Sequence, residues 1–284
     1  CGCRPCDKTL LSYLESASSK LKPVENTIRE RLKESAVLHC DETGLRIQGT
    51  TNWVHVASNA NYTLLTLHAS RGSQGMQAGG ILAAYDGIVV HDSYGAYFRN
   101  EFGFERQLCC AHLLRELQGI TEYDNHRWSS RMKQLLQLSW KLACKYREQE
   151  KPLPEALLQR LQSQYDAILK HGAAEWQKDP VREKTGPRGR KVKSKAGNLA
   201  QRLLAHKAAI LRFLSNPQVP FDNNQAERDV RMLKVKQKIS GCFRTWEGAV
   251  HFARIRSVIS TLIKRSHPIL ASLSSAFLGE LKLN

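Results

Sequence analysis

No stretch of this 284-residue chain approaches the ~20 consecutive apolar residues that a membrane-spanning helix needs. Its first residues also lack the basic-then-apolar order of a secretory signal. These absences argue against a membrane or exported protein, and a soluble cytoplasmic protein is the expectation. The eight cysteines, at 1, 3, 6, 40, 109, 110, 144 and 242, lack the dense spacing of a disulfide scaffold, so reduced thiols are expected. No repeat with a period of ~20–50 residues is present, which excludes solenoids. Acidic charge is the scarcest ingredient: 26 Asp and Glu stand against 43 Lys and Arg, a net +17, which excludes an acidic or near-neutral enzyme surface. With 42% hydrophobic and 24% charged residues the composition is that of a globular protein, not of a disordered or fibrous one.

The excess positive charge is confined to one block. Residues 182–265 carry 20 basic and 5 acidic side chains, whereas residues 1–181 carry 22 and 20. The densest part, Arg182 to Lys195, is broken by glycine and proline and has no apolar face, so it reads as a mobile basic loop. Such a loop can be a solvated linker. The basic helical segments that follow favour a polyanion partner such as DNA, because Lys and Arg contacts to phosphates release bound counterions. Arg188, Arg190, Lys191, Lys193 and Lys195 in the loop are therefore candidate DNA contacts.

Residues 7–35 repeat apolar side chains at three- and four-residue spacing and predict a helical segment, with Pro23 the place for a bend. From Ala36 short apolar runs (AVLHCD, LRIQG, NWVHVAS, YTLLTLHA), separated by Thr-Gly, Gly-Thr-Thr-Asn and Asn-Ala-Asn turns, predict three or four antiparallel strands. A short helix at Ser73–Leu82, a buried strand at Gly87–His91 and a weaker strand at Glu105–Cys110 complete the expected order β-β-β-α-β-α-β-α. Residues 126–178 show only helical periodicity, and helices are expected at Asn198–Ser215, Asn224–Lys236, Glu247–Lys264 and after Pro268.

Asp41 ends the first apolar run, Asp92 ends the run G-I-V-V-H-D, and Glu227 lies early in the helix after D-N-N-Q-A-E-R. Strand ends in a mixed sheet can lie side by side, and a carboxylate from a nearby helix can close the set. Clustered carboxylates suit hard divalent cations, and a pair of such ions serves phosphoryl transfer. Structural roles compete: either aspartate can cap a turn, and Asn224-x-x-Glu227 fits a capping box. Strand alternation turns Glu42 to the face opposite Asp41, and Asp222 lies in a proline-bounded loop. Arg228 and Arg231 share a helix face, as do Arg231, Lys234 and Lys238, which makes this stripe the first choice for a DNA surface. His39 and His91 are read as sheet histidines pointing away from the aspartates. Among the tryptophans, Trp246 is the best candidate for stacking on a base.

The strings LHCDETGLR, VVHDSYGAYF, CCAHLLREL and FDNNQAERDVRMLKVKQKISGCFRTWEGA resemble, in order and from roughly residue 7 to the end, the core motifs of bacterial transposases of the insertion sequence 66 family. The resemblance implies an α/β fold: an RNase H-like mixed sheet flanked by helices, with an all-helical insertion and a basic C-terminal helical part. It implies four segments: a helical 1–35 left from an upstream DNA-binding region, a first core part 36–122, an insertion with basic loop 123–195, and a part 196–284 that completes the core. It assigns Asp41, Asp92 and Glu227 to a DDE triad holding two Mg²⁺ or Mn²⁺ ions. The implied reaction is cleavage at element ends followed by strand transfer to target DNA, by a homodimer or larger assembly on DNA, with helper proteins a possible addition. A structure-specific nuclease and a non-catalytic DNA-binding derivative are the competing readings. Cys109-x-x-His112 resembles a pattern seen after the second aspartate in DDE transposases and is read as an active-site-organising pair. A first residue other than methionine leads to the expectation of an upstream segment removed from a longer product, with Cys1, Cys3 and Cys6 as the remnant of a zinc-binding module.

Overall fold

The computed structural model of the chain describes residues 5–179, 193–281 and 283. The described residues form two compact units: Cys1–Glu105 with Asn223–Asn284, and Arg106–Asp222. A five-stranded mixed sheet with helices against it gives the α/β class expected from the sequence. The order is β3-β2-β1-β4-β5, with β1 Val37–Ile47, β2 Thr50–Ser58, β3 Thr63–His68, β4 Ile88–His91 and β5 Glu105–Leu108.

In the first unit, β1 and β2 form a hairpin closed by Gln48 and Gly49, both at positive φ (50° and 78°), the backbone that a two-residue turn between twisted strands requires. The Thr43-Gly44 pair is not the turn it resembles. Gly44 lies inside β1 opposite Trp53, and a side chain there would meet the Trp53 ring, so two expected short strands are one strand of 11 residues. The helix expected between β4 and β5 is a 3₁₀ turn at Gly95–Phe98. Helix α1 (Asp7–Lys33) runs through Pro23 and buries Leu21, Val24, Ile28 and Leu32 in a cluster with Leu38, Cys40, Val89 and Tyr97. The opposite face of the sheet, with Leu45, Ile47, Val54 and Val56, is covered by α8 (Asn224–Ser240), through Ala226, Val230 and Leu233. Gly241 at φ 69° ends α8, and the chain returns along β1, where Phe243 N–H bonds the Arg46 carbonyl at 2.8 Å.

Helix α9 (Trp246–Lys264) covers the open edge of β3. The N–H groups of Thr63 and Leu65 have no strand beyond them, and they donate to Thr261 Oγ1 (3.1 Å) and Ser257 Oγ (2.9 Å), both fully buried. A sheet edge that could template association is thereby satisfied by side chains. Helix α10 (Ile269–Leu278) follows Pro268.

The second unit is built from α3 (Cys110–Tyr123), α4 (Arg127–Glu148), α5 (Glu155–Trp176), α6 (Lys195–Ala205) and α7 (Lys207–Ser215). The single helix expected at Asn198–Ser215 is two, divided at His206. Trp128 packs edge-on against Trp176 over Gly172, where a Cβ would lie 2.5 Å from the Trp128 Cβ. Arg147 Nη2 donates to the carbonyls of Phe213, Asn216 and Val219 at 2.6, 3.3 and 3.0 Å, fastening the segment after α7. Among the described residues, the cysteines are all free and no helix is long and apolar enough to cross a membrane.

Replacing Ser257 by Ala and Thr261 by Val together strands two buried N–H groups of β3. A loss of about 2–5 kcal/mol in urea unfolding is expected, accompanied by concentration-dependent association. A double variant within 0.5 kcal/mol of the parent, a difference of the size about expected at neutral surface sites, would show that α9 does not satisfy this edge.

Candidate active site

The first unit brings Asp92 and Glu227 within electrostatic reach of Asp41. β1 and β4 run parallel with His39 beside Val90, and Asp41 and Asp92 each follow two residues further along their segments, Asp41 within β1 and Asp92 just past the end of β4. Glu227 arrives from the other direction, in the first turn of α8, where the unbonded N–H groups of a helix start favour a carboxylate. Burial pushes the Asp41 carboxyl up from its ordinary value, and the charges of Asp92 and Glu227 push it further. The Glu42 backbone N–H (2.8 Å to Asp41 Oδ1) and the Lys234 ammonium pull it down. All three acidic residues are partly buried: Asp41 lies inside β1, Asp92 just past the end of β4, and Glu227 in the first turn of α8.

Two anchors fix α8 against the sheet. Asn223, the residue before the helix, does not cap it with its side chain. Its Nδ2 donates to the Cys40 carbonyl at 2.7 Å and its Oδ1 lies 3.0 Å from His39 Nδ1. Two residues beyond Glu227, Asp229 Oδ2 accepts from Lys264 Nζ of α9 at 2.8 Å and from Gln225 Nε2 at 3.1 Å. Lys264 also donates to the carbonyls of Asn59 and Tyr62, so the strand β2–β3 turn, α9 and α8 share one buried ammonium.

His39 corrects the sequence reading. Residues 39 and 41 are two apart on a strand and share a face, so His39 points with Asp41 toward α8. His91 does turn away: it is fully buried and stacks on Tyr97 with ring centroids 4.3 Å apart. Glu42 lies on the face opposite Asp41, as alternation requires, yet it is no bystander. Its side chain is 1% exposed, Arg71 Nε and Nη2 reach its Oε1 at 3.0 and 2.9 Å, and Tyr97 OH donates to its Oε2 at 3.0 Å. Burial first, then the Asp92 charge, push the Glu42 carboxyl up to about 7. A glutamate followed 29 positions later by an arginine in a loop left no spacing from which this pair could be read.

Arg228, Arg231, Lys234 and Lys238 are exposed on α8, and Met232, Val235 and Ile239 are exposed among them. Trp246 is partly exposed at the start of α9. In the second unit, Lys193 and Lys195 are exposed at the start of α6, Cys109 is the buried residue before α3, and His112 lies in the first turn of that helix. Arg188, Arg190 and Lys191, with Cys1 and Cys3, lie outside the described residues.

A mixed sheet with one acidic residue on a strand, one just past the end of its parallel neighbour and one at the start of a helix that carries exposed cations places this chain among α/β proteins with an acidic cluster beside a basic helix face. The chain matches the family model Transposase IS66 family over residues 1–251, a span that starts at the first residue and ends within α9, short of the end expected from the motifs. It belongs to that family, and a transposase-type function follows from membership. No protein of curated function matches the chain.

An acid held with a raised pKa in the folded state binds its proton more tightly folded than unfolded. Stability is therefore lost as pH rises through the unfolded and then the folded value. Asp41→Asn removes that loss. Denaturation in the presence of a chelator at about pH 7–8 is expected to give a higher midpoint for the variant, the two proteins converging near pH ~3 where the carboxyl is protonated in both states. A variant less stable than the parent at neutral pH would mean that attraction, not repulsion, dominates around Asp41.

Proposed function

We propose that this chain is a DDE-type catalytic unit that cuts DNA at the ends of an insertion element and joins the cut strand to target DNA. The observation that carries the reading is the gathering of Asp41, Asp92 and Glu227 from β1, the end of β4 and the start of α8, with Asp41 raised by burial and further by the charges of the other two. The donor set fits a divalent cation: hard carboxylate oxygens, partly open to solvent, whose mutual repulsion a positive charge relieves. Asp41, Asp92 and Glu227 would hold the metal, as two Mg²⁺ or Mn²⁺ ions. Bound there, such ions supply an activated attacking oxygen and stabilise the oxygen that leaves phosphorus.

The chain's own residues set the geometry. The parallel pairing of β1 and β4 holds two carboxylates at neighbouring strand positions, and Asn223 and the Asp229–Lys264 pair keep α8 from sliding, so the third stays in reach. Arg228, Arg231, Lys234 and Lys238 on the helix that supplies Glu227 take the phosphates on either side of the scissile bond. In this reading Cys1–Glu105 with Asn223–Asn284 is the catalytic core and Arg106–Asp222 the insertion between the second and third acidic residues. DNA is the partner, and two element ends held together call for at least two protomers on it.

Glu227→Gln and Asp92→Asn are expected to bind a short DNA duplex like the parent and to lose Mg²⁺- or Mn²⁺-dependent nicking and joining by ~100-fold or more. Unchanged cleavage in either variant removes that residue from the triad, and a parent that binds DNA without cutting it under either metal is a non-catalytic DNA-binding protein. Arg231→Ala is expected to weaken binding alike on unrelated duplexes and to lower the slope of log K against log salt by about 1. An unchanged slope would take Arg231 off the phosphate backbone.

A further inference from the structure

Asp92 is flanked by two residues that reach, by different routes, the same buried carboxylate. On its N-terminal side, His91 stacks on Tyr97 at 4.3 Å with the rings 15° from parallel, and Tyr97, fully buried, donates its hydroxyl to Glu42 Oε2 at 3.0 Å. On its C-terminal side, Tyr94 N–H donates to Asp92 Oδ1 at 2.8 Å, closing an Asx-type turn, and the Tyr94 ring lies 4.1 Å from the Arg71 guanidinium. Arg71 is held by Glu42 Oε1 through Nε and Nη2, and its other neighbour is the Trp53 ring at 4.9 Å. Trp53 stands opposite Gly44 on the same face of the sheet as Glu42, so the guanidinium lies between two rings with its charge met by a carboxylate.

Both oxygens of Glu42 are therefore engaged by Arg71 and Tyr97, which leaves this carboxylate poorly placed to serve as a ligand itself. What it can do is fix the segment His91–Tyr97, since Asp92 sits between two rings that Glu42 restrains. The cost of burying a carboxylate is several kcal/mol unless it is hydrogen-bonded, and here the half-exposed Arg71 and the buried Tyr97 both bond it. A charge placed at that cost on the far face of β1, one residue from Asp41, has a consequence for the strand end beside it.

We propose that Glu42, acting through Arg71 and Tyr97, is a positioning residue for Asp92, orienting its carboxylate toward Asp41 and Glu227. The proposal rests on the reading of those three residues as metal ligands. In metal sites generally, groups that orient a ligand change metal affinity by ~10–100-fold when removed. The same range is expected here for Glu42→Gln and for Arg71→Met.

The test is Mn²⁺ binding to the full chain by isothermal titration calorimetry, independent of any DNA. Parent, Asp41→Asn, Asp92→Asn, Glu42→Gln, Arg71→Met and Ser257→Ala are compared, each shown to be folded by circular dichroism and thermal melting. Asp41→Asn and Asp92→Asn are expected to lose the site. Glu42→Gln and Arg71→Met are expected to bind ~10–100-fold more weakly at unchanged stoichiometry. Ser257→Ala, destabilised at the β3 edge, is expected to bind like the parent. Parent-like affinity in a folded Glu42→Gln or Arg71→Met, with the aspartate variants impaired, overturns the positioning role and leaves the metal-site reading standing. Parent-like affinity in both aspartate variants overturns that reading and the proposal with it. An equal loss in Ser257→Ala would trace the effect to general destabilisation and overturn the positioning role.

Discussion

The parallel register between β1 and β4 is the constraint on which the rest of the first unit depends. It brings Asp41, inside β1, near Asp92, just past the end of β4, and two carboxylates so placed repel. A chain that tolerates this must supply the missing stability elsewhere. It does so with apolar layers on both faces of the sheet and with an edge strand whose free N–H groups are met by two hydroxyls from α9. The site is thus a locally unfavourable arrangement held by a well-satisfied frame, the distribution expected where function opposes stability.

Helix α8 reconciles two demands that pull in opposite directions. Its inner face must bury Ala226, Val230 and Leu233 on the sheet, while its outer face carries cations that need water or phosphate. A helical period of 3.6 separates the two sets, and Glu227 falls at the boundary, partly buried in the first turn. The buried Asp229–Lys264 pair is the register device: an ion pair inside protein gains little over apolar packing, yet it penalises any slide that separates its partners. Lys264 also closes the β2–β3 turn, so the helix that carries the third acidic residue and the hairpin beside the first are tied to one ammonium.

Apolar periodicity made most of the elements legible, because the faces that must be buried repeat at the period of the structure that buries them. It failed where a local signal was overridden by pairing. Thr43-Gly44 reads as a turn, but both residues pair with β2, Gly44 opposite Trp53, and β1 runs on. The 3₁₀ turn at Gly95–Phe98 took the place of an expected helix in a segment whose tyrosines are committed to the core and to Arg71. Asn224-x-x-Glu227 looked like a capping box, whereas the helix starts one residue earlier in register and Asn223 spends its side chain on β1. Asp92 and Glu227 could be picked out because one follows the end of a strand and the other begins a helix, whereas Asp41, which the sequence placed at the end of an apolar run, lies inside β1. Glu42 could not, since its partners come from a loop and a 3₁₀ turn that no periodicity brings together.

Strand β1 therefore has two working faces at one point. Asp41, partly buried, shares the face of β1 that α8 covers, with Lys234 among the charges that act on it, while Glu42 on the other face has both oxygens engaged by an arginine and a tyrosine. Adjacent residues on a strand must diverge, so a carboxylate pair at positions 41 and 42 cannot serve one site from one side. The arrangement divides the labour instead: one carboxylate meets the site, and its neighbour, through the rings on either side of Asp92, bears on the loop that the next strand contributes. A sheet transmits such a constraint well, because neither strand can shift without breaking its register with the other.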